Sequence, residues 1–214
     1  MEQARFNMIE QQIRPWNVLD THVLELLSEV KREDFVPAAS KSLAFGDFEL
    51  SLGRGASMLS PKVEARLLQD LKLIGTESVL EIGTGSGYMA ALLARMSKHV
   101  LTLEIDAELA KQATQNLAHA VIANADVRVA DASRTNAIEG EFDVIVLSGS
   151  VAKIPEALTA KLKVGGRLAA IVGDEPIMRM TIVTRTTVGF ETIQPWDTLA
   201  PRLVGFAEND KFIF

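Results

Sequence analysis

Three segments in the first 75 residues have apolar side chains at every third or fourth position, the spacing of an amphipathic helix: residues 3–13, 20–31 and 62–74. We predict a helix for each of them. Asp20 or Thr21 is placed to cap the second helix, because a short polar side chain there can accept hydrogen bonds from free backbone amides. Gly75 is placed to end the third, since glycine readily adopts the left-handed conformation that closes many helices.

Residues 36–61 lack any such period and are rich in Gly, Ser and Pro. We predict a long ordered loop for this segment. Loops of this length inside a compact domain are usually functional, because rigid scaffolds commonly present their binding residues on loops. The segment is therefore a candidate part of a binding site.

From Ser78 onward, apolar runs of strand length alternate with helical patterns. The predicted strands are 78–82, 99–105, 125–131, 142–148 and 165–173, and the predicted helices are 87–97, 107–121 and 155–162. This alternation is typical of a parallel sheet with helices on both faces. The strand-like segments that follow without helices between them are 178–186, 190–196 and 202–207. We therefore predict an α/β fold, a doubly wound, Rossmann-like sheet that is mostly parallel with antiparallel C-terminal strands.

Composition narrows the class of protein. The 214 residues are 48% hydrophobic and 23% charged, which is typical of one globular domain. The net charge of −6 argues against a nucleic-acid partner, which requires a basic face. The chain has no cysteine, so disulfides, thiolate metal sites and a cysteine nucleophile are excluded. No apolar run of 18 residues and no signal-peptide pattern occurs, so we expect no membrane span and a cytoplasmic location.

A glycine-rich turn follows the first predicted strand of the sheet, with the sequence Gly83-Thr84-Gly85-Ser86-Gly87. A dinucleotide-binding turn would carry its third glycine at position 88, but this residue is Tyr88. The compressed G-x-G-x-G form is associated with S-adenosylmethionine. Glycines allow backbone amides to approach a ligand, and the start of the following helix attracts a carboxylate such as that of the methionine moiety.

Acidic residues end the next two strands at the same edge of the predicted sheet. Glu104 ends the second strand, 21 residues after Gly83, where a carboxylate can accept hydrogen bonds from both ribose hydroxyls. Asp131 ends the third strand, where it could meet the adenine amino group. Together with Glu81 in the first strand, the ordered acidic and glycine positions indicate an S-adenosylmethionine site.

With these motifs in place, the chain resembles the protein-L-isoaspartate O-methyltransferases. The resemblance is carried by successive blocks in the family's order: residues 5–13, 18–37, 79–94 and 154–173. It implies a methyltransferase fold with an N-terminal helical lid. It also implies methylation of the free α-carboxylate of isoaspartyl residues, so the expected partners are damaged peptides or proteins. On this basis we divide a single domain into a lid segment (1–75), a cofactor-binding core (76–175) and C-terminal β additions (176–214).

The resemblance also assigns the cofactor contacts. The positions that match the family's cofactor site or adjoin it are Glu81, Gly83, Thr84, Gly85, Ser86, Glu104, Ile105, Asp131, Ala132 and Ser148. Asp131 matches the acid of the family's Gly-Asp-Gly block, but both of its neighbours are alanine here. That difference is expected to alter the loop near adenine without removing the carboxylate.

The substrate side departs further from the family. The family's Gly-x-Gly-Gln-Thr-Ile-Ser-x-Pro stretch is "GRGASMLSP" here, so Leu59 replaces the serine associated with the active site. Hydroxyls remain at Ser57 and Ser60, and these three positions are the candidate catalytic residues. The stretch at 147–152 is changed as well.

The reaction tolerates such changes, because a carboxylate acceptor is already ionised at neutral pH and requires no general base. Two alternatives keep the cofactor: a methyltransferase with a small-molecule or different protein acceptor, and a catalytically silent cofactor-binding or interaction protein. A nicotinamide oxidoreductase is disfavoured by Tyr88. Nothing in the sequence indicates a metal site or an oligomeric state.

Overall fold

The computed structural model of the chain describes residues 1–134 and 138–209. The strands in these ranges are β1 Leu50–Gly53, β2 Ala56–Met58, β3 Ser78–Ile82, β4 His99–Glu104, β5 Ala125–Val129, β6 Phe142–Val151, β7 Leu162–Asp174, β8 Ile177–Arg185 and β9 Phe190–Thr198. The α-helices are α1 Glu2–Met8, α2 Thr21–Glu29, α3 Pro61–Leu71, α4 Tyr88–Arg95, α5 Ala107–His119 and α6 Glu156–Thr159. None of these helices is long and apolar enough to cross a membrane.

Seven strands form one sheet in the order β5-β4-β3-β6-β7-β8-β9. The strands from β5 to β7 pair in parallel, and β8 and β9 add in antiparallel orientation. The predicted fold class is confirmed. The chain moves outward from β3 through β4 to β5 and then returns to the other side of β3 with β6. Because the strand order reverses there, the carboxyl ends of these strands form a crevice suited to a ligand.

The parallel strands are covered on both faces, as their nearly continuous apolar runs predict. In β3, Val79 packs into one core cluster, while Leu80 and Ile82 pack into the other. All three side chains are buried, and each contributes on the order of 1.5–3 kcal/mol through burial of apolar surface. The sheet is therefore a rigid support for the loops at its carboxyl edge.

The first two N-terminal helices follow the predicted pattern. Asp20, and not Thr21, caps α2, because its carboxylate accepts hydrogen bonds from the amides of His22 and Val23 at 2.9 and 3.4 Å. The first helix begins as α1 and continues to residue 13 as a wider π-type turn.

The prediction that Gly75 ends the third helix is wrong, because α3 already ends at Leu71. Lys72 adopts the left-handed conformation, with φ of 50°. The side chain of Arg167 donates to the carbonyl oxygens of Leu71 and Lys72. These bonds satisfy the last carbonyls of the helix, so a lysine can take the place of the usual glycine.

The prediction of a long ordered loop for residues 36–61 is corrected, because part of the segment has regular secondary structure. The segment contains a short 3₁₀ helix at Ala38–Leu43 and the antiparallel hairpin β1–β2. Gly53, Arg54 and Gly55, at the turn of the hairpin, have φ of 79°, 56° and 80°. Two glycines permit this left-handed turn, and they were the available hairpin signal in the sequence.

The prediction of a strand at 202–207 is also wrong. Arg202 forms a single isolated bridge with Ser150, and the following residues turn at Gly205, which has φ of 91°. Residues 201–206, which we call the C-terminal segment, instead cross the carboxyl edge of the sheet. Leu203 donates its amide to the Ser150 carbonyl at 2.9 Å, while the Ser150 amide donates to Pro201 at 2.7 Å.

The cap of α2 provides a test of this fold. Replacing Asp20 with alanine removes the acceptor for two helix-terminal amides, and we expect a loss of about 1 kcal/mol in the free energy of unfolding. Urea denaturation measures this loss. Asp20→Asn is the matched control, because asparagine retains a capping oxygen. If asparagine and alanine are equally destabilising, the side chain at residue 20 does not cap the helix.

Candidate functional site

The glycine turn connects β3 to α4, and its backbone explains its composition. Gly83, Gly85 and Gly87 all have positive φ, at 88°, 52° and 85°. Side chains disfavour this region, so the path of the chain favours glycine at all three positions. The turn is also held to the neighbouring strand, because the amide of Gly83 donates to the carbonyl of Leu103 at 2.9 Å.

Glu104, at the end of β4, lies against this turn. One carboxylate oxygen accepts a hydrogen bond from the Gly85 amide at 2.8 Å, and the other accepts from the Asp106 amide at 3.1 Å. A carboxylate oxygen can accept two hydrogen bonds. Each oxygen of Glu104 therefore keeps acceptor capacity for a donor in the pocket that it lines.

A pocket of about 180 Å³ opens above the turn. We call it the main pocket. Its walls are the glycine turn, the ends of β4 and β5, the β1–β2 turn and the C-terminal segment. Eight of the predicted site residues line it: Ser57, Gly83, Gly85, Glu104, Ile105, Asp131, Ala132 and Ser148.

Two walls of the main pocket involve features that sequence reasoning missed: the ion pair of Arg54, within the loop predicted to be functional, and the whole C-terminal segment. Arg54, in the β1–β2 turn, pairs with Asp106 at 2.5 Å and so closes the hairpin over the end of β4. The C-terminal segment brings Leu203 so close that a Cβ atom added to Gly83 would lie 2.8 Å from its Cδ2 atom. Both contacts join residues far apart in sequence, and no local pattern signals them.

Asp131 lies two residues beyond β5, which ends at Val129 rather than at Asp131 as predicted, but it still reaches the pocket. Its carboxylate accepts from the Ser133 amide at 3.1 Å and hydroxyl at 2.6 Å, and from Arg134 at 3.1 Å. These hydrogen bonds, led by the Ser133 hydroxyl, lower the pKa of Asp131. The carboxylate is therefore ionised at neutral pH and oriented beside the pocket.

The remaining predicted cofactor residues lie on the other side of the turn. They line a small cavity of about 20 Å³ together with Leu59: Glu81, Thr84 and Ser86. Thr102 donates to one oxygen of Glu81 at 2.7 Å, and Ser148 donates to the other at 2.6 Å. Because Thr102 donates there, the 2.6 Å bond between the two threonine hydroxyls has Thr84 as its donor. These hydroxyls brace the turn from below.

Glu81 is fully buried. Burial raises its pKa to about 7, against the hydrogen bonds from Ser148 and Thr102, which lower it. The nearby carboxylates of Glu64 and Glu104 raise it further. A carboxyl group with this pKa titrates near neutral pH at the centre of the site.

The three candidate catalytic residues are not brought together in one place. Ser57 lines both the main pocket and the small cavity, and Leu59 lines the small cavity alone. Ser60 lies at the N-cap position of α3 and lines a separate surface groove. The Leu59 side chain is buried in the core, and its carbonyl accepts from Arg32 at 2.7 Å. Of the three, Ser57 alone lines the main pocket.

No cluster of three or more His, Cys, Asp or Glu side chains that could hold a metal occurs among residues 1–134 and 138–209. The polar groups of the main pocket are carboxylates, hydroxyls, backbone amides and the guanidinium groups of Arg54 and Arg202. They suit an organic ligand with hydroxyl and amine donors.

Comparisons with known proteins agree with this geometry. Residues 3–197 match the family model described as protein-L-isoaspartate(D-aspartate) O-methyltransferase. A protein-L-isoaspartate O-methyltransferase 1 of Rhodopseudomonas palustris is 39% identical over 185 residues, covering 86% of this chain and 76% of that protein. A protein-L-isoaspartate O-methyltransferase of Bradyrhizobium sp. is 36% identical, covering 97% of this chain and 96% of that protein.

Two solved structures share the fold. A protein-L-isoaspartate O-methyltransferase superposes with a TM-score of 0.81 at 22% identity, covering 98% of this chain and 68% of that chain. A Plasmodium falciparum structure, named as a beta-aspartate methyltransferase in complex with S-adenosyl-L-homocysteine, superposes with a TM-score of 0.78 at 18% identity. It covers 94% of this chain and 97% of that chain.

The raised pKa of Glu81 predicts a pH-dependent stability. The carboxyl group has an ordinary pKa of 4.5 when unfolded and about 7 when folded. Between these values the folded state holds more protons, so stability falls as pH rises through this window. Glu81→Gln removes the charge and keeps hydrogen-bonding groups. We expect it to stabilise the free protein by on the order of 1–3 kcal/mol at pH 8, with no gain near pH 4.

Thermal and urea denaturation across pH 4–8.5 measure the effect of Glu81→Gln. Glu191→Gln is the matched control, because Glu191 is an exposed acid on β9. A difference between Glu81→Gln and wild type that stays constant with pH would show that Glu81 does not titrate in this window.

Proposed function

Since the chain belongs to the protein-L-isoaspartate O-methyltransferase family, we propose that it transfers a methyl group from S-adenosylmethionine to the free α-carboxylate of isoaspartyl residues. Its partners are then damaged peptides and proteins that contain such residues. The observation that supports this best is the main pocket, where Glu104 lies against the Gly85 amide with acceptor capacity left for a ligand.

The residues of the main pocket suit S-adenosylmethionine. Glu104 offers one free acceptor position on each oxygen, which matches the two donors of a ribose diol. Asp131 is ionised beside the pocket and can accept from the adenine amino group, with Ile105 and Ala132 beside it. The turn at Gly83 and Gly85 brings backbone close to the ligand without side chains. We assign the ribose, adenine and methionine ends of the cofactor to these three places.

Glu81, Thr84, Ser86 and Ser148 support the cofactor in a different way. Their hydroxyl and carboxyl groups bond to one another or to the backbone beneath the turn. We propose that they hold the turn in its binding conformation. Binding then requires little reorganisation of the turn, so less of the interaction energy is spent on ordering it.

The acceptor side of the site is formed by residues 53–60, which we call the acceptor segment. Ser57 is its hydroxyl in the main pocket, and we propose that Ser57 and backbone amides of the segment hold the substrate carboxylate. Leu59 and Ser60 contribute through the position of the backbone. The cofactor supplies an activated methyl group, and the acceptor is already an anion. The chain therefore has to orient the two groups and exclude water rather than transfer a proton.

A different acceptor is the second candidate function. One observation favours it. Glu64 and Glu81 both border the small cavity next to Leu59, where the family has a serine hydroxyl. Glu64 is paired with Arg32, but the carboxyl group of Glu81 repels an anionic acceptor when it is ionised and suits a neutral or cationic one. The two functions differ in whether isoaspartyl peptides are methylated at all.

The proposed function predicts a selective reaction. With labelled S-adenosylmethionine, the wild-type protein should methylate an isoaspartyl peptide and leave the matched aspartyl peptide unlabelled, because only the isoaspartyl form presents a free α-carboxylate at that position. Equal labelling of the two peptides, or of neither, would exclude isoaspartyl methylation and direct the search to other acceptors.

The cofactor site predicts the effect of Gly85→Val. The residue has φ of 52°, and a Cβ atom added there would lie 3.2 Å from the Leu52 side chain. A branched side chain is expected to occupy the ligand space and to displace the amide that binds Glu104. We expect calorimetry with S-adenosylhomocysteine to show at least about a hundredfold loss of affinity, the result of losing charge-assisted hydrogen bonds.

Gly75→Val is the matched control for backbone strain. Gly75 has φ of 90° and nothing within 4 Å of an added Cβ atom, and it does not line the main pocket. We expect Gly75→Val to be destabilised and yet to bind the cofactor normally. Native affinity in a folded Gly85→Val protein would place the cofactor elsewhere.

A further inference from the structure

Arg32 is the most unusual charged residue outside the main pocket. It lies in a short 3₁₀ turn, Arg32–Asp34, and its side chain is only 1% exposed. It pairs with Glu64 of α3, which is also buried. Its guanidinium group lies over the ring of Tyr88, 5.1 Å from the centroid. Tyr88 is the first residue of α4, directly after the glycine turn.

Two further contacts of Arg32 are made with the backbone. Its Nη2 atom donates to the carbonyl of Leu59 at 2.7 Å, and its Nε atom donates to the carbonyl of Ala44 at 3.0 Å. Leu59 is in the acceptor segment, two residues after Ser57. Ser57 itself pairs with Ser51 in the β1–β2 hairpin. The stretch that carries the Ser57 hydroxyl is therefore held on one side by the hairpin and on the other by Arg32.

We propose that Arg32 is a positioning residue for the methyl acceptor. It acts through the Leu59 carbonyl and sets the position of the acceptor segment relative to the glycine turn. This inference rests on the proposed function and identifies what holds its acceptor side in place. Glu64 has a supporting role, because it compensates the buried charge and orients the guanidinium group toward Leu59.

A role in stability alone does not explain the contacts of the Arg32–Glu64 pair. A buried ion pair is a weak source of stability, because the cost of desolvating both charges offsets most of their attraction. The chain contains a second buried pair, Arg5 with Glu33, for which the side-chain hydrogen bonds among the described residues show no contact to the acceptor segment. Arg32 differs from Arg5, because it donates to two main-chain carbonyls in addition to the carboxylate of Glu64. Those two hydrogen bonds fix the main chain at Ala44 and Leu59 relative to Arg32.

The test replaces each buried pair by methionines, which preserve volume without leaving a lone charge. The test protein is Arg32→Met with Glu64→Met, and the matched control is Arg5→Met with Glu33→Met. Three measurements are made on each: amide hydrogen exchange of residues 53–60, the affinity for S-adenosylhomocysteine, and KM and kcat with an isoaspartyl peptide.

We expect the Arg32 and Glu64 double variant to show faster exchange in the acceptor segment and a KM for the peptide raised by about tenfold or more, the effect of one lost hydrogen bond to a charged donor. Cofactor affinity should remain native. The Arg5 and Glu33 control should match wild type in the exchange of the segment. Exchange in the double variant equal to that in the Arg5 and Glu33 control would overturn the proposal.

Two features keep this result separate from other failures. The exchange measurement requires no acceptor, so it decides the proposal even if the wild-type protein does not methylate isoaspartyl peptides. If the double variant does not fold, Arg32→Lys takes its place, because an ammonium group keeps the charge beside Glu64 but lacks the planar fork that reaches both carbonyls. The same rise in exchange is then expected, and native exchange would overturn the proposal.

Discussion

The rest of the site depends on the hydrogen bonds of one buried carboxyl group, that of Glu81. It connects three adjacent strands, because it lies on β3 and accepts hydrogen bonds from Thr102 on β4 and Ser148 on β6. These are the strands whose ends surround the reversal of strand order. The glycine turn is continuous with Glu81 and is braced by the hydroxyl of Thr84. A carboxyl group at this depth disfavours folding, and its hydrogen bonds fix the geometry of a turn in which three of the five residues are glycines.

The same logic applies to the turn itself. Gly83, Gly85 and Gly87 adopt positive φ, and glycine loses more conformational entropy on folding than any other residue. Neighbouring groups compensate this cost locally: the Leu103 carbonyl binds the Gly83 amide, and Glu104 binds that of Gly85. The carboxylate that is assigned to the ribose therefore has two tasks. It holds the turn in place and faces the pocket with its remaining lone pairs.

Features that depend on neighbouring residues or on strand order could be predicted from the sequence, and features that depend on contacts between distant residues could not. The strands β3 to β6 follow from periodicity, and the meeting of Gly85, Glu104 and Asp131 at one pocket follows from strand order; the structure has both, with different ends for β5 and β6. The cap of α2, predicted at Asp20 or Thr21, is Asp20. The wrong predictions have non-local causes. The third helix ends early because Arg167, far along the chain, satisfies its last carbonyls. Residues 202–207 have strand composition, but their partners are the end of β6 and the glycine turn. No window of sequence contains these pairs.

Leu59 stands where the family has a serine, and this substitution bears most directly on the acceptor side of the site. Arg32 donates its hydrogen bond to the backbone carbonyl of Leu59. A contact to the main chain is indifferent to which side chain the residue carries. On the view that Arg32 positions the acceptor segment, the backbone path from Ser57 onward is therefore compatible with either serine or leucine. The substitution then removes one hydroxyl and adds one apolar group to the core, while the support of the remaining hydroxyl at Ser57 is preserved. Substrate selectivity can in this way diverge at a single side chain without loss of the scaffold that aligns acceptor and cofactor.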